Sequence, residues 1–170
     1  MSILIRTMKN SDLDLIYSSP VVTGSNRPAG LYYRYYEEQE KGQRVVLLAF
    51  CDGEFAGHVN IIWKSEYPLF AEKNIPEIND LIVLPDLRRH GIATTLVNEA
   101  EKIIFQRSPA AGIGVGMYAD YGPAQRMYIL RGYVPDRLGL MYKRTPVKPG
   151  EMVKVDDNLV LYLIKERPKK

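Results

Sequence analysis

A chain of 170 residues with 46% hydrophobic and 25% charged side chains is long enough for one domain with a real core, and its composition is that of an ordinary soluble globular protein. The net charge of +3 is not gathered into a basic tract, so nucleic acid is not an expected partner and an anionic small ligand fits as well. The single Cys51 excludes an intramolecular disulfide and a cysteine-rich zinc site, and His58 and His90 are too few for a histidine cluster, so no metal is expected.

The N-terminal apolar run is short and broken by Arg6, unlike a signal peptide, and no run approaches the roughly 18 apolar residues of a membrane span. A cytoplasmic protein with no membrane association is expected. Ile3 to Arg6 reads as a short strand. Ser11 with Asp14 three positions later resembles a capping box and should open a short helix carrying Leu13, Ile16 and Tyr17, ending near Pro20. Residues 20–30, with two prolines and two glycines, read as loop, and Leu31 to Lys41 as a second helix. Val45 to Phe50 is a β-branched apolar strand, Asp52-Gly53 a hairpin turn, and the return strand runs from about Glu54 to Trp63. Residues 65–75 read as irregular, and Pro76 precedes a strand over Glu77 to Leu84.

From Ile92 the pattern is helical: Ile92, Ala93, Leu96, Val97, Ala100, Ile103 and Ile104 share one face, with Thr95, Asn98, Glu99 and Lys102 away from it. Ile113 to Tyr118 is a further strand. Pro123 suits the first turn of the next helix and Gly132 its C′ position. Residues 136–157 read as loop-rich, Leu159 to Ile164 as a last strand, and the terminal Arg-Pro-Lys-Lys as a frayed tail. The order β-α-α-β-β-β-α-β-α-β, without repeat or linker, implies a single α/β domain over residues 1–170 with a mixed sheet and helices on its faces.

The most informative segment is the junction of the strand ending near Leu84 with the helix from Ile92. Arg88-x-x-Gly91-x-Ala93 puts cations and small residues on a loop that enters a helix N-terminus. There, backbone N–H groups can bind phosphate oxygens, and Gly91 permits unusual φ. The alternation Gly112-x-Gly114-x-Gly116 is not a dinucleotide loop, because it lies within a strand and opens no helix.

From about Leu47 to Tyr133 the chain resembles the GNAT superfamily of N-acetyltransferases. The resemblance rests on Leu81-Ile-Val83-x-Pro85-x-x-Arg88-x-x-Gly91-Ile-Ala93 and on Ala124-x-x-x-Tyr128-x-x-x-Gly132-Tyr133. It implies the GNAT-like fold, with a central, mostly antiparallel twisted sheet of six or seven strands and about four helices on both faces. It also implies acetyl-CoA as co-substrate. Backbone groups of Leu81, Ile82 and Val83 would pair with the pantetheine arm as an added strand does. Arg88, Arg89, His90, Gly91, Ile92, Ala93 and Thr94 would enclose the pyrophosphate. Ala124 and the residue three before it would border the cofactor arm. That position is Tyr121 here, where many members have asparagine, and a phenol cannot reproduce the paired donor and acceptor of an amide, so lining the acceptor site is the alternative place for Tyr121.

Tyr128 matches the family's general acid, placed to protonate the departing thiolate; packing in the helix–sheet interface is the competing role. Glu77 matches a general-base position, with Asp80 and ordered water as competitors. Asn79 lies two residues on, at a position where polyamine-acetylating members carry glutamate. Asp80 projects from the opposite strand face unless a bulge intervenes. In Leu31-Tyr32-Tyr33-Arg34-Tyr35-Tyr36, Tyr32 and Tyr36 share a helix face and would line the acceptor cleft by cation–π contact, packing being the alternative. His58 is expected to be hydrogen-bonded rather than catalytic. The functional expectation is direct acetyl transfer to a primary amine of a small molecule or peptide. A non-catalytic CoA-binding sensor on the same fold is one alternative, and an acetyltransferase associated with nucleic acid is another. Dimers are common among proteins of this resemblance, and a homodimer is a possible form.

Overall fold

The structure, a computed structural model, describes residues 2–169. In chain order its elements are β1 (Ile3–Thr7), α1 (Leu13–Ser18), α2 (Pro20–Thr23), α3 (Leu31–Glu40), β2 (Arg44–Cys51), β3 (Glu54–Ile62), α4 (Pro68–Lys73), β4 (Glu77–Val83), α5 (Ile92–Phe105), β5 (Ala110–Gly116), α6 (Gly122–Leu130), β6 (Val134–Tyr142), β7 (Thr145–Pro146) and β8 (Leu159–Glu166). The α/β class holds, and the ten expected elements recur in their expected order, with the helices α2 and α4 and the strands β6 and β7 added among them. Among the described residues there are eight strands and six helices, against six or seven strands and about four helices expected.

The differences have local causes. Pro20 sits at the start of the single-turn α2, inside the expected loop. Pro68 likewise opens α4, and Asn74 ends it in the left-handed region at φ 53°, so residues 65–75 are not irregular throughout. β6 runs through the expected loop because most of its side chains are exposed, which leaves no apolar alternation to read. β5 begins three residues before the expected strand. At the first helix the reciprocal acid is Asp12, not Asp14: the Lys9 N–H donates to its carboxylate at 2.7 Å, and the Arg6 guanidinium forks onto both of its oxygens. The tail is anchored at its start, since the Arg167 N–H and guanidinium donate to the Pro109 and Phe105 carbonyls. Lys170 lies outside the described residues.

The chain gathers into two compact units. The first comprises the residues through Trp63 together with Ile78–Ile103. Its strands lie in the order β1-β2-β3-β4. β1/β2 and β2/β3 are antiparallel, with Leu48 opposite His58 and Val46 opposite Asn60. The β2/β3 hairpin closes through Asp52 (φ 49°) and Gly53 (φ 90°), the positive φ values that such turns need. Leu13 and Ile16 of α1 and Tyr32 and Tyr35 of α3 pack with Val46, Leu48 and Phe55 into one core.

The second unit comprises Lys64–Glu77 and the chain from Ile104 onward, with strand order β5-β8-β6-β7. β5 and β8 are antiparallel from Ala110 opposite Glu166 to Gly116 opposite Val160. Tyr67, Phe70, Ile75, Met141 and Tyr162 form its core, with the Tyr67 and Tyr162 rings stacked at 3.6 Å. The alternating glycines of β5 make room for this aromatic layer. A Cβ at Gly112 would lie 2.3 Å from the Phe70 ring, and one at Gly114 3.0 Å from the Tyr162 ring. No helix among the described residues is long and apolar enough to cross a membrane.

Candidate active site

The phosphate-type loop of the first unit has the local geometry its sequence implies. β4 ends at Val83, a single 3₁₀ turn covers Pro85–Leu87, and α5 starts at Ile92. Between them Arg89 (φ 63°) and Gly91 (φ 81°) both adopt left-handed backbone. Such reversals turn successive N–H groups toward one side, and the N–H groups of Ile92 and Ala93, in the first turn of α5, have no acceptor one turn back within the helix. Arg88, Arg89, His90 and Gly91 are exposed. A Cβ at Gly91 would have no heavy atom within 4 Å, so the loop is open at its hinge. Arg88 turns back: its Nε donates to the Val83 carbonyl at 3.2 Å, tying the loop to the end of β4. Exposed cations beside the N-terminus of a 14-residue helix are a donor set that fits a pyrophosphate. The predicted apolar face of α5 turns inward: Ile92, Leu96, Val97, Ala100 and Ile104 are buried, and Ala93 and Ile103 half-buried.

The same unit holds a polar cluster that the sequence did not announce. Asp80, in mid-β4, has φ 51°, so the strand's alternation breaks there. Its carboxylate accepts from Arg27 Nη2 at 2.6 Å, from Arg27 Nη1 at 2.8 Å and from the Tyr35 hydroxyl at 3.1 Å. Burial alone would raise the Asp80 pKa, but the guanidinium hydrogen bonds, the charge nearby and the Tyr35 hydroxyl hold it below the usual carboxylate range. Burial, with the Asp80 charge, pushes the Tyr35 hydroxyl up to about 12. His58 is fully buried, with Nε2 3.0 Å from the Tyr32 hydroxyl and 4.0 Å from Asp80. Desolvation lowers its pKa to about 4, outweighing the attraction of Asp80, so it is neutral at pH 7. His58 Nδ1 is buried without a hydrogen-bond partner. A bare lone pair costs less there than a bare N–H, which places the proton on Nε2.

In the second unit Glu77 is buried at the first position of β4 rather than a solvated strand end, and the Ser65 hydroxyl donates to its Oε2. The same hydroxyl accepts from the Tyr67 N–H at 3.0 Å, so Ser65 is held while it serves the carboxylate. Tyr128 lies on α6, four residues after Ala124 and therefore on the same face. It is buried beside Tyr133, and burial raises the pKa of its hydroxyl, which stays protonated across the physiological range. Gly132, at φ 88°, ends the helix as expected. The Tyr121 ring lies against Gly116 and its hydroxyl donates to Asp157 at 2.9 Å, so the residue at the asparagine position is engaged by its own unit.

The sequence-predicted residues therefore fall in two groups. In the first unit the loop 88–94 joins the end of β4, where Leu81 and Ile82 are half-buried and Val83 buried, with half-buried Asn79 just before. In the second unit are Glu77, Tyr121, Ala124 and Tyr128. The tyrosine run of α3 divides: Tyr32 is 1% exposed and its hydroxyl meets His58, so it is a core residue, whereas Tyr36 is half-buried and Tyr33 exposed. Arg27 was missed. Its sequence signal is a lone cation in a loop, and only the fold brings it to Asp80. Among the described residues no three His, Cys, Asp or Glu side chains gather as a metal site.

Comparison with known proteins agrees with these elements. The model of the acetyltransferase (GNAT) family matches residues 12–133. No curated protein matches the chain. Among solved structures, yncA from Salmonella typhimurium with its cofactor acetyl-CoA is similar at 13% identity. The alignment covers 100% of this chain and 96% of that one, with a TM-score of 0.68. The PaiA N-acetyltransferase of Thermoplasma acidophilum in complex with coenzyme A is 16% identical over 98% of this chain and 100% of its own, with a TM-score of 0.61. The spermidine/spermine N-acetyltransferase SpeG of Vibrio cholerae, in complex with manganese ions, is 15% identical over 96% and 92%, with a TM-score of 0.66. At these identities the likeness shows the fold. The family match spans both the phosphate-type loop and the Ala124–Tyr133 segment, and by it this chain belongs to the GNAT acetyltransferase family.

Proposed function

We propose that the protein, acting as one N-acetyltransferase domain, transfers the acetyl group of acetyl-CoA directly to a primary amine. The observation that carries this reading is the open, cationic loop from Arg88 to Gly91 at the N-terminus of α5, in a chain of this family. Arg88, Arg89 and His90 with the N–H groups of Gly91, Ile92, Ala93 and Thr94 hold the pyrophosphate. Backbone groups of Leu81, Ile82 and Val83 pair with the pantetheine arm, and Tyr121 and Ala124 border it. The acceptor is a small molecule or a peptide amine, and Asn79 and Tyr36 stand on its side of the reaction.

The chemistry follows from what amine and thioester require. An ammonium must lose a proton before its nitrogen can attack. Glu77, or a water it holds, takes that proton. The nitrogen lone pair forms the C–N bond, the carbonyl oxygen gains charge beside the Val83 N–H, and the C–S bond breaks. The thiolate takes a proton from Tyr128, whose buried hydroxyl remains protonated at neutral pH and so has one to give, and the second proton that the newly acylated nitrogen sheds returns through solvent to the Tyr128 oxygen. Asp80 is a poor base, because Arg27 occupies both of its oxygens. A cytoplasmic setting suits this chemistry, and a homodimer is a compatible form.

The test is a thiol-release screen with acetyl-CoA and a panel of polyamines, amino acids, peptide N-termini and lysine peptides. The polyamines are included because SpeG acts on spermidine and spermine. Release with one acceptor class supports the reading. Acetyl-CoA binding with no release from any acceptor favours a CoA-binding sensor on the same fold.

A further inference from the structure

We propose that Asp80 is a positioning residue for acetyl transfer: clamped by Arg27 and Tyr35, it holds the kink of β4 that sets the directions of the Leu81, Ile82 and Val83 backbone groups. The inference rests on the N-acetyltransferase reading above. A non-glycine residue in left-handed backbone is strained and persists only where its surroundings over-determine it. Asp80 is such a residue, in the middle of a strand.

Its surroundings do over-determine it. Arg27 arrives from the segment between α2 and α3 and forks onto both carboxylate oxygens. Tyr35 arrives from α3 and donates to the same carboxylate. His58 of β3 stands 4.0 Å away, and its neutral ring is itself fixed by Tyr32. On the other side of the kink, β3 comes so close that a Cβ on Gly57 would lie 2.2 Å from the Ile82 carbonyl oxygen and 2.9 Å from the Val83 Cα. Farther along, Arg88 Nε holds the Val83 carbonyl and the Leu84 N–H donates to the Ala56 carbonyl at 2.9 Å. The four residues from Asp80 to Val83 are thus fixed at one end by the carboxylate clamp and at the other by Gly57, Arg88 and Ala56. Three donors on one carboxylate favour its ionised form and make Asp80 a poor base.

The experiment uses the full chain with Asp80→Asn, Arg27→Met, Arg27→Lys and Tyr35→Phe. Acetyl-CoA affinity is measured by calorimetry, amide hydrogen exchange is followed over residues 79–84, and kcat and KM are measured against pH with the best acceptor. Asp80→Asn and Arg27→Met are expected to weaken acetyl-CoA binding at least tenfold, speed exchange at Leu81 to Val83 and lower kcat, while the acid limb of the pH profile stays in place. Arg27→Lys should recover part of the loss. Tyr35→Phe, which keeps the ring and so the fold, should shift each quantity in the same direction by less. The inference is overturned if Asp80→Asn removes the acid limb and leaves acetyl-CoA affinity intact, which would make Asp80 the base. It is also overturned if the variants lower only the melting temperature. A wild-type chain that binds no acetyl-CoA sinks the acetyltransferase reading and this inference together. An active wild type with unaffected variants sinks this inference alone.

Discussion

The ring of Tyr121 occupies the space that a side chain at Gly116 would need: a Cβ built there falls 2.4 Å from two of its carbons. The two residues belong to the end of β5 and the turn before α6, and Gln125 of α6 adds a hydrogen bond to the Gly116 carbonyl at 2.8 Å. The pair explains a sequence feature that otherwise looks like a failed nucleotide loop. The glycine is there so that a large ring can lie against the strand, and the ring stands where the family often has asparagine.

Gly116→Ala should therefore destabilise the fold by about 1–3 kcal/mol, because the new methyl group must push aside a ring whose hydroxyl is held by Asp157. Adding Tyr121→Ala should recover part of that loss by freeing the space. Urea unfolding of the two single variants and the double variant measures this coupling. Strictly additive losses would mean that the ring and the glycine do not share one space.

At Gly91 the expectation is different, because no atom crowds the missing Cβ. The constraint is the backbone, at φ 81°. Gly91→Ala should cost of the order of 1 kcal/mol of stability and weaken acetyl-CoA binding. Gly91→Glu should abolish binding by setting a carboxylate against the pyrophosphate. Calorimetry with acetyl-CoA reads both, and full affinity in the Glu variant would contradict the phosphate cradle.

How much of this was legible in the sequence depends on the range of the interaction. The face of α5, from Ile92 to Ile104, is visible because a 3.6-residue period over 14 residues is a local property. The loop from Arg88 to Ala93 is legible for the same reason. α4 is six residues long, too short for a period, although Pro68 and Asn74 mark its ends. β6 escapes because a mostly exposed strand carries no alternation. The Arg27–Asp80 pair lies 53 residues apart in sequence, and nothing near Arg27 hints at its partner. Tyr32 and Tyr36 share a helix face, yet Tyr32 is in the core and Tyr36 only half-buried; the sequence gives the face but not its depth.

For Tyr128, Tyr128→Phe should lower kcat by about 100-fold, the scale of a lost proton donor, with acetyl-CoA affinity within about twofold of wild type. The ring remains, so the packing against Tyr133 survives. Because burial raises the hydroxyl's pKa, Tyr128 should contribute no alkaline limb to the wild-type profile below about pH 10. Unchanged turnover in the Phe variant would remove Tyr128 from the chemistry.

Glu77→Gln should lower kcat/KM by about 100-fold and flatten the acid limb of the pH–rate profile. Ser65→Ala separates a base from a structural carboxylate. The Ser65 hydroxyl holds Glu77 Oε2, and its loss should lower kcat/KM by freeing the carboxylate to turn, while leaving the fold largely intact. If the Gln variant keeps a wild-type profile and loses only thermal stability, Glu77 is a structural residue.

The buried imidazole of His58 makes a prediction about the fold alone. Its pKa is about 4 in the folded chain against 6.5 when exposed, so between these values the unfolded chain binds the extra proton and the folded chain does not. Stability should thus be full above pH 6.5 and fall steadily as pH drops toward 4, by roughly 3 kcal/mol in all. Asp80 acts in the same direction but lower: its folded pKa is depressed below 3.8, so its contribution is present above that value and is lost beneath it. Replacing His58 by Gln, which cannot take up a proton in this range, should lower stability at pH 7 yet remove the slope between pH 6.5 and 4. Urea midpoints at half-unit pH steps would show this, and a slope unchanged in the Gln variant would assign the acid sensitivity to other groups.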